Sequence, residues 1–183
     1  MRYWWVNQNQ TFEQEFHGGY LWSPKRNANG ARNPFYESMR EVSPGDLILS
    51  YQGTYIRAVG IARTHCYEAP KPAEFGTTGA YWDKRGWRVD VRYIPLSNPI
   101  RPKEHIAQIA PVLPDKYAPL RPNGDGKQNL YLTTVTPTLM HVLAGLIGEE
   151  LQKLMSPNQV NDRDLWTPGS ATGLQQWEEH ITR

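Results

Sequence analysis

The stretch Tyr20-Leu21-Trp22-Ser23-Pro24-Lys25-Arg26-Asn27-Ala28-Asn29-Gly30-Ala31-Arg32-Asn33 interleaves aromatic rings, hydroxyl and amide side chains and three cations, with no acid. These are the parts that a site for an extruded nucleobase needs. An aromatic face stacks the base, Ser, Asn and backbone groups read its polar edge, and Lys and Arg hold the flanking phosphates. The same residues admit a plainer reading, in which Trp22 plugs a core and the Asn/Gly run only turns the chain. The residues alone leave both readings open.

Other chemistry is poorly served. His17, His65, His105, His141 and His180 are scattered, with no spacing that would bring two onto one metal. His65 and Cys66 are neighbours at the end of an expected strand. Their side chains would point to opposite faces, so Cys66 reads as a small buried hydrophobe rather than a nucleophile. No Walker loop, GxSxG or GxGxxG occurs, and Gly18-Gly19 alone reads as a turn. Asp83-Lys84 has no supporting acidic strand. The acids that do cluster, Asp162 with Asp164 and Glu178 with Glu179, fall in the C-terminal stretch and read as a solvated linker face. No catalytic residue, metal or cofactor is expected from these residues.

The elements that must position the aromatic-basic stretch come from 183 residues, the length of one domain or one domain with an appendage. Such a chain needs no metal or disulfide staple. Its 7 Trp, 10 Tyr and 4 Phe offset a modest apolar content of 39%. The single cysteine excludes an internal disulfide framework and zinc sites built on two thiolates, and fits a reducing cytoplasm. No apolar run is long enough to span a membrane, and the opening MRYWWVNQNQ lacks the apolar region of a signal peptide. The net charge of +2 is unevenly spread. Residues 1–148 carry 17 Lys/Arg against 12 Asp/Glu, a balance of +5, and the remainder carries 3 against 6, a balance of −3. The first part permits contact with a polyanion without demonstrating it.

Tyr3–Val6 reads as a strand too apolar on both faces for a sheet edge. Residues 7–33 read as a long loop, a length usually reserved for function. Asn33-Pro34 starts a short helix to about Val42, with Asn33 as cap. Ser43-Pro44-Gly45-Asp46 is a turn. Strands follow at Leu47–Tyr51 and Thr54–Ala62, joined by a tight turn at Gln52-Gly53. The alternation of Trp87, Val89, Val91 and Tyr93 with Arg88, Asp90 and Arg92 marks a half-buried strand, punctuated by Pro95, Pro99 and Pro102. A short helix is expected near 103–110 and a last strand over Leu130–Val135. Thr136-Pro137 opens a helix running to about Met155, with Leu139, Leu143, Leu146, Ile147, Leu151 and Leu154 on one stripe. Residues 156–183 read as an extension or linker. The pattern is α+β, around an antiparallel or mixed curved sheet close to a small barrel.

Residues 22–51, WSPKRNANGARNPFYESMREVSPGDLILSY, resemble the signature of the EVE domain of the PUA-like superfamily. The matching positions are Trp22, Gly30-Ala31-Arg32-Asn33, Met39, Gly45-Asp46 and Tyr51, then Gly60-Ile61-Ala62. The stretch before Ala31 is one residue longer than the usual pattern, which shifts the register of Asn27 and Asn29. The resemblance extends over 1–155 and is most specific over 22–62. The chain looks most like the EVE-like N-terminal domain of bacterial modification-dependent restriction endonucleases, in which an HNH nuclease domain follows. It implies a PUA-like curved barrel with flanking short helices and one longer C-terminal helix. It also implies a pocket for an extruded 5-methylcytosine or 5-hydroxymethylcytosine of double-stranded DNA. Carried onto this sequence, Trp22 is the first stacking residue, Ser23 reads the base edge, and Tyr51 and Trp82 are further walls. Asn29, Arg32 and Asn33 organise the loop or contact the base, and Lys25, Arg26, Lys84 and Arg85 meet phosphates. Trp4, Trp5 and Trp87 fall to the core by strand alternation. The alternatives are a module for RNA or modified RNA, and an enzyme domain in its own right. Whether the chain is a stand-alone reader or a targeting module is left open.

Overall fold

The computed structural model describes residues 1–155. The expected extension 156–183 and its acidic pairs lie outside the described residues.

Seven strands form one sheet: β1 (Tyr3–Asn7), β2 (Tyr20–Pro24), β3 (Leu47–Gln52), β4 (Tyr55–Ala62), β5 (Tyr67–Pro70), β6 (Arg85–Ile100) and β7 (Leu132–Val135). Their order is β2-β6-β4-β3-β1-β7, with β5 joined to β6. β1 runs parallel to β3, and every other pairing is antiparallel. The sheet is therefore mixed, and it curls into a half-barrel of the PUA-like kind. The length of β6 drives the curl. Its first half pairs β2 on one edge and β5 on the other, and its second half pairs β4 from Val91 to Ile100. Pro95 and Pro99 therefore sit inside the strand rather than ending it. Register shifts at Ser50/Tyr51 and Ile56/Ala58 add local twist beside the end of β3.

The alternation in β1 sorts its two tryptophans to opposite faces. Trp5 joins Leu47, Leu49, Val59 and Ile61 under the helices α3 (Ile106–Ile109), α4 (Pro137–Ile147) and α5 (Glu149–Met155). Trp4 lies on the opposite face with Val6, Leu21, Ile48, Val89 and Val91. Its indole N–H donates to Asp46 Oδ2 at 3.0 Å, and Asp46 also accepts from the amides of Arg2 and Ser43, which fastens the 43–46 turn to β1. Trp87, expected in the core, is only half-buried, with Lys25 and Arg40 over its ring. Thr136 caps α4 through the Leu139 amide, with Pro137 at the first position. The expected single helix to Met155 is two helices, because Gly148 adopts φ 105° between them.

Two departures bear on the site. The expected loop 7–33 contains a helix, α1 (Phe12–Gly18), and the strand β2. Phe12 and Phe16 stack one turn apart at 5.3 Å, and Gly19 ends α1 in the left-handed region with φ 74°. The turn between β3 and β4 is Gly53-Thr54, both at positive φ, rather than Gln52-Gly53.

Candidate nucleic-acid interface

A cavity of roughly 840 Å3 opens where the ends of β1, β2 and β3 meet the segment 126–131 ahead of β7. That size suits one ring system of a small ligand with its substituents. Five aromatic residues line it: Trp22 from β2, Tyr36 from α2 (Pro34–Glu37), Tyr51 from β3, Trp82 from the loop before β6, and Tyr131. Polar groups alternate with them, including Asn7, Asn9, Gln10, Thr11, Ser23 and Asn129. Thr54 and Asn129, two lining residues, hold φ of 70° and 62°. Left-handed backbone at non-glycine residues collects at ligand sites, where the surroundings enforce it.

Trp22 is both wall and core. It is 2% exposed, packs edge-on to Phe75 with centroids 5.8 Å apart, and donates from its indole N–H to Ala69 O at 3.2 Å. Gly86 makes this possible, because a Cβ there would stand 2.0 Å from Ser23 O and 2.6 Å from the Trp22 ring. Trp82 lies tilted against Trp22 at 6.4 Å, is half-buried, and is the more open of the two indoles. Tyr51 rests on Trp5 at 4.9 Å, and burial pushes its hydroxyl above the ordinary tyrosine range. Burial raises Tyr36 likewise, with Asp83 adding to it. Both phenols therefore stay protonated and can donate. Ser23 is buried and its hydroxyl donates to Pro24 O at 2.9 Å, so its free capacity is as an acceptor.

The expected site residues thus divide. Trp22, Ser23, Tyr51 and Trp82 come together around the cavity. Asn29, Arg32 and Asn33 do not line it. Asn29 Oδ1 accepts from the Ala31 amide and shapes the 27–31 turn. Asn33 caps α2 by accepting from the Phe35 amide at 2.8 Å, and its amide group ties Asn27 to Asn129 O. Arg32 is exposed beside a β-bridge to Arg26. Lys25, Arg26, Lys84 and Arg85 also stand outside the cavity, one to three residues in sequence from Pro24 or Trp82, which line it. Lys25 and Arg85 share Glu68 as an ion-pair partner. The cation that does line the cavity is Lys127, whose carbonyl accepts from Asn7.

The residues behind the lining were hidden in the sequence. Glu15 of α1 is fully buried and accepts from Gln8, Thr11, the Trp22 amide and the Tyr131 hydroxyl. Burial drives its carboxyl up to about 7 against those four hydrogen bonds. Gln8 passes the network on, donating to Tyr93, whose hydroxyl donates to Tyr20 O at 2.9 Å. A glutamate inside an apparent loop carries no sequence signal of burial. The helical spacing of Phe12 and Phe16 is the clue that would have placed it.

Away from the cavity, Cys66 is half-buried and its thiol is pushed up to about 11 by burial, which suits an inert side chain. Among the described residues, no three His, Cys, Asp or Glu side chains could together hold a metal ion, and no helix is long and apolar enough to cross a membrane.

No family model matches the chain, and no curated protein matches it in sequence. Solved structures do match. Human THYN1, in complex with 5-methylcytosine containing DNA, superposes with a TM-score of 0.54 at 15% identity, covering 81% of this chain and 99% of that one. A protein from Pseudomonas putida gives 0.54 at 18% identity, covering 80% and 99%. Atu2648 from Agrobacterium tumefaciens gives 0.52 at 17% identity, covering 81% and 94%. The chain shares the fold of these structures, a PUA-like fold.

Proposed function

We propose that the described domain, residues 1–155, reads a modified cytosine, 5-methylcytosine or 5-hydroxymethylcytosine, extruded from double-stranded DNA into the 840 Å3 cavity. The carrying observation is the lining: five aromatic residues interleaved with amide and hydroxyl side chains on a fold that THYN1 uses while bound to 5-methylcytosine containing DNA. Trp82 and Tyr51 stack or wall the base, with Trp22 behind as a rigid support. Ser23 and the lining amides meet its polar edge. Lys25, Arg26, Lys84, Arg85 and Lys127, with the exposed Arg32, are the phosphate contacts, and they set affinity rather than identity.

A methyl group contributes only about 0.8 kcal/mol by burial. A void left by plain cytosine and the different cost of extrusion add to that. The expected preference is roughly 10- to 200-fold. The domain binds and does not cleave; within a longer protein it would target a nuclease domain such as HNH to modified DNA, in a cytoplasmic setting. The test is equilibrium binding to duplexes with and without one modified cytosine, and to RNA of the same sequence. Preference for the modified duplex supports the reading. Preference for RNA, where the 2′-hydroxyl is read, would replace it with the RNA-binding alternative. DNA cleavage by this chain in magnesium would replace it with the enzyme alternative.

A further inference from the structure

Glu15 accounts for every lone pair of its carboxylate. Oε1 accepts from Thr11 Oγ1 at 2.8 Å and Gln8 Nε2 at 3.0 Å. Oε2 accepts from the Trp22 amide at 2.7 Å and from the Tyr131 hydroxyl. Two donors on each oxygen leave no place for a proton, so this arrangement belongs to the ionised form. Three of the four partners, Thr11, Trp22 and Tyr131, line the cavity, and Glu15 itself does not.

We propose that Glu15 is the positioning residue of the base pocket: its ionised carboxylate fixes the Trp22 backbone and the Tyr131 hydroxyl, and so sets the cavity's shape for the modified base. This rests on the base-reading function proposed above. The groups facing the carboxylate from the packed elements are Tyr20 of β2, Tyr93 of β6 and Tyr131 ahead of β7. Burial holds all three phenols protonated, helped by Glu15 at Tyr93 and Tyr131 and mainly by Glu74 at Tyr20, so they donate and do not compete for the charge. Beyond Tyr20 stand Glu74, which accepts from its hydroxyl, and Arg88 over its ring. On α1 itself, exposed His17 pairs with Glu13.

A proton arriving on Glu15 must displace a donor. Thr11 and Tyr131 can rotate their hydroxyls and accept, whereas the Trp22 amide cannot. Glu15→Gln makes the conflict permanent. Either orientation of the new amide sets N–H against N–H, at Trp22 on one side or at Gln8 on the other. Gln8 is itself held by Ser50 and Tyr93.

The experiment measures the affinity ratio of a 5-methylcytosine duplex to the plain duplex, from about pH 5.5 to 8.5, for the wild type and Glu15→Gln. It also follows the Trp22 amide resonance without DNA. In the wild type the ratio falls about tenfold as the pH drops through about 7, because the Trp22 amide then bonds a neutral carboxyl in place of a buried charge and is held less firmly. The Trp22 resonance moves with the same midpoint. Glu15→Gln shows the low ratio at every pH and a Trp22 resonance that does not titrate. A wild-type preference that is present but does not change with pH, a variant that keeps the wild-type profile, or a Trp22 amide that does not move would each overturn the proposal. If the variant does not fold, the two wild-type curves decide. A wild type without preference at any pH sinks the base-reading function instead, and the Trp22 titration then decides whether Glu15 holds the wall.

Discussion

The packing under α4 and the support of the cavity are held together by different forces. Under α4, Trp5, Leu47, Leu49, Leu139 and Leu143 pack with no polar demand except the unpartnered Trp5 N–H. Behind the cavity, Gln8, Thr11, Glu15, Ser50, Tyr93 and Tyr131 are joined through specific donors and acceptors. An apolar layer tolerates changes that conserve volume. A buried network of fixed donor count tolerates almost none, because each lost partner leaves a polar group dry. The first region supplies stability and the second supplies shape.

Substitutions can separate the two. Trp22→Ala belongs to both roles and should show the largest effect, about 3–5 kcal/mol of stability in denaturant unfolding together with loss of selectivity. Leu139→Ala should lose about 2–5 kcal/mol as well, yet leave the modified-to-plain ratio unchanged wherever the protein stays folded. If that ratio drops too, the two regions are coupled and the distinction fails.

Stability against pH sharpens the comparison. The Glu15 carboxyl titrates near 7 when folded, above its ordinary 4.5, so the native state holds the proton more tightly. Its favourable contribution is complete below about pH 4.5 and disappears as the pH rises through about 7, some 3 kcal/mol in all. Glu15→Gln should remove that slope. Selectivity runs the opposite way with pH, so the pocket is best formed where the protein is less stable. Unfolding midpoints across pH for both proteins check this.

Trp82→Ala removes an open, half-buried ring and should weaken binding of modified DNA by about 1–3 kcal/mol with little change in melting temperature. Asn33→Ala should lose about 1 kcal/mol of stability through its cap, and little selectivity. The smallest effect is electrostatic. Replacing Lys25 and Arg26 with Gln should reduce the log–log salt slope of DNA binding by about 1 to 2, the lower end because Glu68 already holds Lys25. The ratio between modified and plain duplex should not move.

Much of the frame was readable beforehand. Apolar runs around a tight turn placed β3 and β4, two-residue alternation placed the first half of β6, and the Thr136-Pro137 start placed α4. Of the cavity lining, Trp22, Ser23 and Tyr51 were reached through the 22–51 signature, and Trp82 as a further wall that the resemblance implied. What escaped was set by tertiary contact. Pro95 and Pro99 look like strand breakers, yet β6 continues through them along β4. Asn7, Tyr36, Lys127, Asn129 and Tyr131 are far apart in sequence and meet only because β1 lies between β3 and β7. Glu15 looks like one more surface acid until α1 folds it under β2.

The central claim is that a modified cytosine leaves the duplex and enters this cavity. A duplex carrying 2-aminopurine beside one 5-methylcytosine tests it directly, because the fluorophore brightens when its neighbour leaves the stack. The account predicts brightening on binding that is weaker with plain cytosine and largely lost in Trp82→Ala. Tight, selective binding of the methylated duplex with no brightening would contradict it, and would place recognition in the groove rather than in the pocket.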